Sequence, residues 1–580
     1  MDRRINKVYK NKILQIIVGL ALLVIIACVS SKPIELGTER MGEFAPDEAF
    51  LEGDEHPYYG SENAWDRRFF YEHNERFYKR RGQRQMLDIV EGRLDDAVSY
   101  CRDLIVADSS DLESMFNLAV ALAHQNKADA AVATAKLAVE GGLPFQRFIA
   151  GPREILAPLT DLEAFKTFAS GFDFKITHGP MLGQVTDSGA SFWVRTSQAS
   201  EVQVLASKMA DMSNPVHSNI VASSASSDFT AIVSLTELEA NQDYYYQLTV
   251  DGEAATEIGT FTFTTNPTAD FKGQLKIAFG GGAGYVPENE HMWTTIKSND
   301  PRAFLFMGDN VYINIPDHPN GIHRYTYYRR QSQPFFRDLV SSTAAYAIWD
   351  DHDACTDDVW MGPYTDKPSW KMEHLNVFKR NWINPQYGSQ VYPAVWHSFK
   401  MGDIEVFMLD GRFYRTNPFK EEKTMLGPDQ LAWLTDALKN STATFKVIAS
   451  PVPWAYETKL TAKDTWNGFH DERDKIFGSL TENGVEGVVL ISADRHRSDA
   501  WKIDRENDYS LYEFSSSRLT NQHLHPIVEG SLFGYNELPS FGMLSFDTSL
   551  DDPTITYDVI NINNEKIHSL TLTKSELENK

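Results

Sequence analysis

Six short apolar runs, LKIAF, AFLFM, AYAIW, IEVFML, FKVIAS and GVVLIS, recur between Leu275 and Ser492, and most lead straight into a polar cluster. Near-continuous apolar runs of this length read as strands covered on both faces, the condition of a largely parallel sheet flanked by helices. In α/β architectures ligands bind beyond the carboxyl ends of the strands. The polar groups at those ends, GGGAG, GDNVY, DDHD, DGRFYR and SADRH, are therefore candidates for one shared site.

The pattern ahead of this α/β region differs. Between residues 175 and 267 the alternating segments ASFWVRT, EVQVLAS, DFTAIVSL, DYYYQLTV and IGTFTFTT, separated by turn residues, predict a fibronectin or immunoglobulin-like β-sandwich. Within it, LTELEANQDYYYQLTV resembles a tyrosine corner, with Leu238 ahead of Tyr244. Residues 83–170 carry helical spacing, and GRLDDAVSYC at Gly92 aligns with NKADAAVATA at Asn126 at an offset of 34 residues, the tetratricopeptide period. Two copies are few for a free solenoid, so this helical module is expected to pack on its neighbour, with recruitment of a protein partner as the alternative. Residues 29–82 read as a spacer that partly packs on the helical module after it, and 274–580 as the catalytic domain.

Residues 1–28 open with Arg3, Arg4, Lys7, Lys10 and Lys12, continue through an apolar run from Ile13 to Ala27, and end at Cys28. That run suits the core of a signal peptide, and Ile25, Ile26, Ala27, Cys28 resembles the lipobox of bacterial lipoproteins. The expectation is an exported chain tethered to a lipid membrane through lipidated Cys28, periplasmic or on the cell surface; an uncleaved anchor helix is the alternative. Only Cys101 and Cys355 remain, too few for a disulfide framework. A balance of 55 basic against 80 acidic residues, net −25, gives no nucleic-acid-binding surface, so an anionic substrate needs a local attraction from metals or arginines.

The chemistry gathers at the strand ends. Five of the nine residues from Asp350 to Asp358 are aspartates, and carboxylates this close repel unless a cation offsets them. A helix cap needs only one of them. Asp309 follows Gly308 after one strand, and Asp494 and His496 stand two apart after another. Asp309, Asp350, Asp351, Asp494 and His496 together offer the oxygen and imidazole ligands of a two-metal site. Arg412 and Arg415 follow a further strand, where guanidinium forks either grip a phosphate or neutralise the surplus carboxylates.

GDNVY, WDDHD, LDGRFYR, MLGPDQLAWL, WNGFHDER and SADRH, in this order from Lys276 to about Leu519, resemble the alkaline phosphatase D (PhoD-like) family of metallophosphatases. The sandwich before them is similar to that family's N-terminal domain. The resemblance implies a four-layer α/β/β/α core and hydrolysis of phosphate esters. It also implies that Asp309 bridges two metals, that Tyr312 is a phenolate-type ligand, and that the WDDHD aspartates, Asp357, Asp494 and His496 complete the spheres. Gly282 stands where the family usually has an iron-binding cysteine. Two or more divalent ions, among calcium, manganese, zinc and magnesium, are therefore expected, with iron as the alternative.

The expected function is an exported phosphatase or phosphodiesterase acting through a metal-activated hydroxide, with Arg412 or Arg415 steadying the phosphoryl oxygens and His352 protonating the leaving oxygen. The alternative is a non-catalytic surface lipoprotein that keeps the fold to bind a partner or a phosphorylated ligand.

Overall fold

The computed structural model describes residues 78–313, 320–355, 357–459, 462–506 and 508–579. The expected leader with Cys28, and all of the spacer before Tyr78, lie outside the described residues. Among the described residues no helix is long and apolar enough to cross a membrane.

Seven helices fill residues 83–169. Leu94–Ala107 and Ala128–Glu140 carry the aligned segments, and each turns small apolar residues inward, Ala97 and Cys101 on one and Ala131 and Ala135 on the other. Between them Leu112–His124 is capped by Asp111, whose carboxylate accepts from Ser114 N at 2.9 Å, satisfying an otherwise unpaired helix amide. The core of these helices is not theirs alone. Ile322 and Tyr325, from the helix Asn320–Gln331, belong to the same cluster as Phe116 and Phe148. Beneath them the buried Arg147 grips Glu113 through two bonds of 2.6 and 2.8 Å, while the Tyr325 hydroxyl donates to the same carboxylate. The module therefore packs on the α/β region through a shared core.

Strands Ile176–Gly183, Ala190–Thr196 and Thr230–Leu235 form one small antiparallel sheet, and Glu201–Ser207 and Asp243–Val250 pair within a second. Along Asp243–Val250 burial alternates strictly, so one face meets the opposing sheet, where Phe192 packs on Tyr246 and Phe263. The Tyr244 hydroxyl accepts from Glu239 N at 2.9 Å, closing the corner that the sequence suggested. Tyr246 donates to Ser341 O at 2.6 Å and ties this unit to the α/β region.

Two large sheets build the rest. The first contains β1 (Gln274–Gly280), β2 (Ala303–Met307) and β3 (Ala344–Ile348). The second contains β4 (His397–Met401), β5 (Ile404–Met408), β6 (Phe445–Ala449), β7 (Val488–Ser492), β8 (Ser498–Ile503), β9 (Leu511–Ser516) and β10 (Phe533–Tyr535). The chain then returns to the first sheet with β11 (Ser540–Asp547), β12 (Thr554–Asn561) and β13 (Lys566–Thr573). The orders are β3-β2-β1-β11-β12-β13 and β4-β5-β6-β7-β9-β8-β10. β1 to β3 run parallel, as do β5, β6, β7 and β9, so their carboxyl ends share an edge within each sheet. Tyr557 stacks on Phe514 at 4.4 Å and Phe445 meets Phe546 at 5.6 Å, bringing the two sheets face to face. Helices Met292–Ser298 and Pro334–Val340 cover the first sheet through Trp293 and Phe336 against Phe306, and Pro428–Asn440 covers the second through Trp433 against Phe407.

His397, at the start of β4, is fully buried; burial draws its pKa down to about 4, although its Nδ1 hydrogen bond to Val395 O opposes this. The unfolded chain takes up this proton first, near pH 6.5, so the stability that neutral His397 provides is complete above that pH and is lost as pH falls towards 4. The loss amounts to about 3 kcal/mol by pH 4. Urea unfolding midpoints at pH 7 and pH 4.5 should converge in His397→Phe and diverge in the wild type.

Candidate metal centre

The end of β2 shows how the backbone gathers the site. Gly308 has φ +103°, and a Cβ on it would lie 2.5 Å from the Cβ of Asp350, so a residue without a side chain lets the ends of β2 and β3 approach. Asp309 follows in the left-handed region. Its Oδ2 accepts from the Tyr312 hydroxyl at 2.9 Å, while Oδ1 is buried without a hydrogen-bond partner. Asn521 donates to that Tyr312 oxygen at 2.6 Å and lies 3.4 Å from Nδ1 of His496, joining the turn after β2 to the turn after β7.

β3 runs into the short helix Asp351–Ala354, with Asp350 as its cap. Asp353 is a brace: its Oδ1 accepts from Asn310 N and Val311 N at 3.0 and 3.2 Å, and its Oδ2 from Asp350 N at 3.1 Å. Asp351 accepts from His352 N at 2.9 Å and from Asp358 N at 2.8 Å, which fixes both its oxygens. Among the described residues, three sets of side chains bring ligand atoms within 4.8 Å of one another: Asp309, Asp351 and His352; Asp351, Asp358 and Asp464; and His496, His523 and His525. Asp351 is shared by the first two, the arrangement two neighbouring cations require.

Electrostatics argue the same way. Burial, with Asp351 and Asp350 beside it, drives the Asp309 carboxyl far above the usual carboxylate range. Asp350 is also driven up by burial, even though Arg412 opposes this, and Asp358 by burial and then Asp464. So many buried carboxylates ionise together only if cations enter among them. Asp309 Oδ1 and Asp350 Oδ2, both buried and lacking hydrogen-bond partners, are oxygens such cations would satisfy. The donors therefore fit hard or borderline divalent ions.

Four placements differ from expectation. Arg412 and Arg415 are fully buried and committed to the protein's own carboxylates. Arg412 donates from Nε to Asp350 at 2.7 Å and from Nη1 to Asp464 at 2.7 Å; Arg415 meets Asp464 at 3.0 Å. Burial raises the Asp464 carboxyl, but the two guanidinium groups outweigh it and hold that carboxyl well below its ordinary range. Their expected grip on a phosphate is thus corrected to the neutralising role, because an unpaired buried charge is far costlier than a paired one. Asp357, expected as a ligand, instead pairs through Oδ1 with Nε2 of His352 at 2.9 Å, and despite burial this partner holds its carboxyl low. Asp494 is not among the three sets; its Oδ2 meets Nη1 of Arg495 at 3.0 Å. At Gly282 a Cβ would stand 3.1 Å from Nδ1 of His496, so the position of the family cysteine borders the histidine set.

Sequence reading missed Asp464, Asp358 as a member of the centre, and the pair His523 and His525. Asp464 sits two residues before WNGFHDER, and NQHLH carries two histidines at spacing two, so both had a local signal. Buried Lys79, from the stretch expected to be a spacer, stands with its ammonium 3.8 Å from the centre of the Tyr312 ring and had none.

Residues 277–536 match the family described as PhoD-like phosphatase, and residues 173–267 match a domain of unknown function, DUF7800. Alkaline phosphatase D of Bacillus subtilis (strain 168) is 23% identical over 338 residues, which cover 49% of this chain and 55% of that protein. The chain thus spans about half the length of that relative. Among solved structures, that of PhoD aligns with a TM-score of 0.53 at 16% identity over 67% of this chain and 91% of that one. A purple acid phosphatase from yellow lupin (Lupinus luteus) seeds aligns with a TM-score of 0.51 at 12% identity over 69% of this chain and 75% of that one. The fold is shared with both, and the region that carries the strand-end carboxylates, residues 277–536, belongs to the PhoD-like phosphatase family.

Proposed function

We propose that the chain is a metal-dependent phosphoric ester hydrolase whose centre lies between Asp309, Asp351, Asp358 and Asp464, on a core layered α/β/β/α. The observation that carries this reading is a buried nest of carboxylates, two of them with partnerless oxygens, at the shared edge of parallel strands in a phosphatase-family domain. Asp309 and Asp351 would hold one cation and Asp351, Asp358 and Asp464 another, with Asp350 Oδ2 beside them. Bound divalent ions supply Lewis acidity and ease the ionisation of a water at neutral pH. The chain's own residues do the rest. Tyr312 and Asn521 orient Asp309, and Asp353 fixes the turns after β2 and β3 against each other. Asp357 meets Nε2 of His352 at 2.9 Å and orients that ring beside the carboxylates, where the imidazole would serve as the acid for the departing oxygen.

Metal analysis of the purified protein, followed by nitrophenyl phosphate and bis-nitrophenyl phosphate assays with and without chelator, tests this. Turnover that chelator abolishes and divalent ions restore supports it. Bound metal without turnover of either ester sinks it and favours a phosphatase fold that only binds.

We propose as well that Cys28 carries a lipid that tethers the exported chain; the resemblance of Ile25–Cys28 to a lipobox supports this. Labelled palmitate should enter the wild type in a bacterial host and not Cys28→Ala; equal labelling of both would reject it.

A further inference from the structure

The third cluster of ligand side chains shares no residue with the two carboxylate sets. His496 follows β7, and His523 and His525 stand in the connection between β9 and β10, so the three meet only in the folded chain. Ring centres lie 5.0 Å apart for His496 and His523, 4.8 Å for His523 and His525, and 5.5 Å for His496 and His525. One nitrogen of each comes within 4.8 Å of the other two. Nitrogens bound to one zinc ion at about 2.0 to 2.1 Å stand roughly 3.4 Å apart, so small ring rotations would close this set on an ion.

The connection is held at both ends. Asn521 Oδ1 accepts from His523 N at 3.1 Å, and Asn536 donates to His525 O at 2.9 Å. Asn521 Nδ2 lies 3.4 Å from Nδ1 of His496, and Arg495 Nη2 lies 3.3 Å from Nδ1 of His525. Both neighbours can only donate, so each of these rings presents a lone pair at Nδ1 and is neutral, the form that binds metal. Contacts of that length are weak and yield to an ion. Gly282 adds room: a Cβ there would stand 3.1 Å from Nδ1 of His496. Two cations lie nearby, each with carboxylates of its own. Arg495 meets Asp494 at 3.0 Å, and the charge of Lys79 is offset by Asp309, Asp357 and Asp351. His496 is buried and the other two are half-buried, which leaves an approach from the side of the connection.

We propose that His496, His523 and His525 hold a borderline divalent ion of the zinc class, apart from the ions of the carboxylate nest, and that it staples the β9–β10 connection to the turn after β7. Imidazole suits zinc, whereas carboxylate suits calcium, magnesium and manganese, so the two places prefer different metals. The site stands whether or not the carboxylates turn over phosphate esters.

The test uses the full chain, stripped with chelator and titrated with zinc over excess magnesium. His523→Gln and His525→Gln, singly and together, are compared with the wild type after their metal-free melting temperatures are measured. The double variant should hold one zinc fewer per chain, and either single change should weaken that zinc about a hundredfold or more. Zinc should also raise the melting temperature of the wild type more than that of the double variant. Equal zinc content and affinity across the four proteins overturns the proposal. If the variants do not fold, X-ray absorption at the zinc edge of the wild type, loaded with one equivalent over magnesium, decides. Two or more imidazoles around the ion uphold the site. An oxygen shell with at most one imidazole, as Asp309, Asp351 and His352 would give, overturns it.

Discussion

Asp309→Asn is expected to lose about 10³-fold or more in turnover of nitrophenyl phosphate while keeping its fold, because the amide is isosteric but cannot share charge with two cations. Stability should move in opposite directions with and without metal. In chelator the wild type confines Asp309 with Asp350 and Asp351, and burial together with those neighbours already makes its ionised form unfavourable. Metal-free wild type must take up a proton on Asp309 to fold, which the neutral amide need not do, so the variant should melt above the wild type when stripped of metal. With metal present the order should reverse, since a bound ion stabilises only the form that binds it. Calorimetric scans of both proteins, with and without chelator, read this crossing. A variant that melts below the wild type under both conditions would mean that Asp309 supports the fold rather than a cation.

Arg412→Met should be the most destabilising single change in the centre, by about 3 to 5 kcal/mol, because it strands buried Asp350 and leaves buried Asp464 to Arg415 alone. Its guanidinium is fully buried and spans Asp350 and Asp464 with bonds of 2.7 Å to each. Lysine should rescue little, since a single ammonium cannot reproduce the fork that reaches both acids. The shift in urea midpoint at pH 7 checks both statements. If Arg412→Met unfolded like the wild type and lost only affinity for phosphate, the guanidinium would face substrate as residue type alone suggested.

Much of this architecture was legible in the sequence, for a physical reason. β2, β5 and β6 fall within a residue of the runs AFLFM, IEVFML and FKVIAS, because a strand covered on both faces must be apolar throughout and its end is marked where polar residues resume. The same logic found Asp309, Asp350 and Asp351, which stand within three residues of such a strand's end. It failed for Asp464, which no strand introduces: that residue lies in the long connection after β6, and its place is set by Arg412 and Arg415. The arginines themselves were found but given the wrong anion, since a guanidinium after a strand announces that it will meet an oxyanion without saying whose. Lys79 was invisible because nothing periodic surrounds it; Arg329, 250 positions away in sequence, clamps its backbone so that the side chain lies over the Tyr312 ring.

The order of the first large sheet has a consequence for anyone who would shorten this protein to its recognisable part. The family region stops at residue 536, but β11, β12 and β13 come after it, and β11 hydrogen-bonds along β1 from Gln274 opposite Asp547 to Phe279 opposite Gly542. A fragment ending at 536 would leave β1 with one flank of amides and carbonyls facing water, an open seam that invites a second copy to dock strand against strand. Such a fragment should precipitate or dimerise, and inactivity in it would report a torn sheet and nothing about the chemistry at the other end of β1.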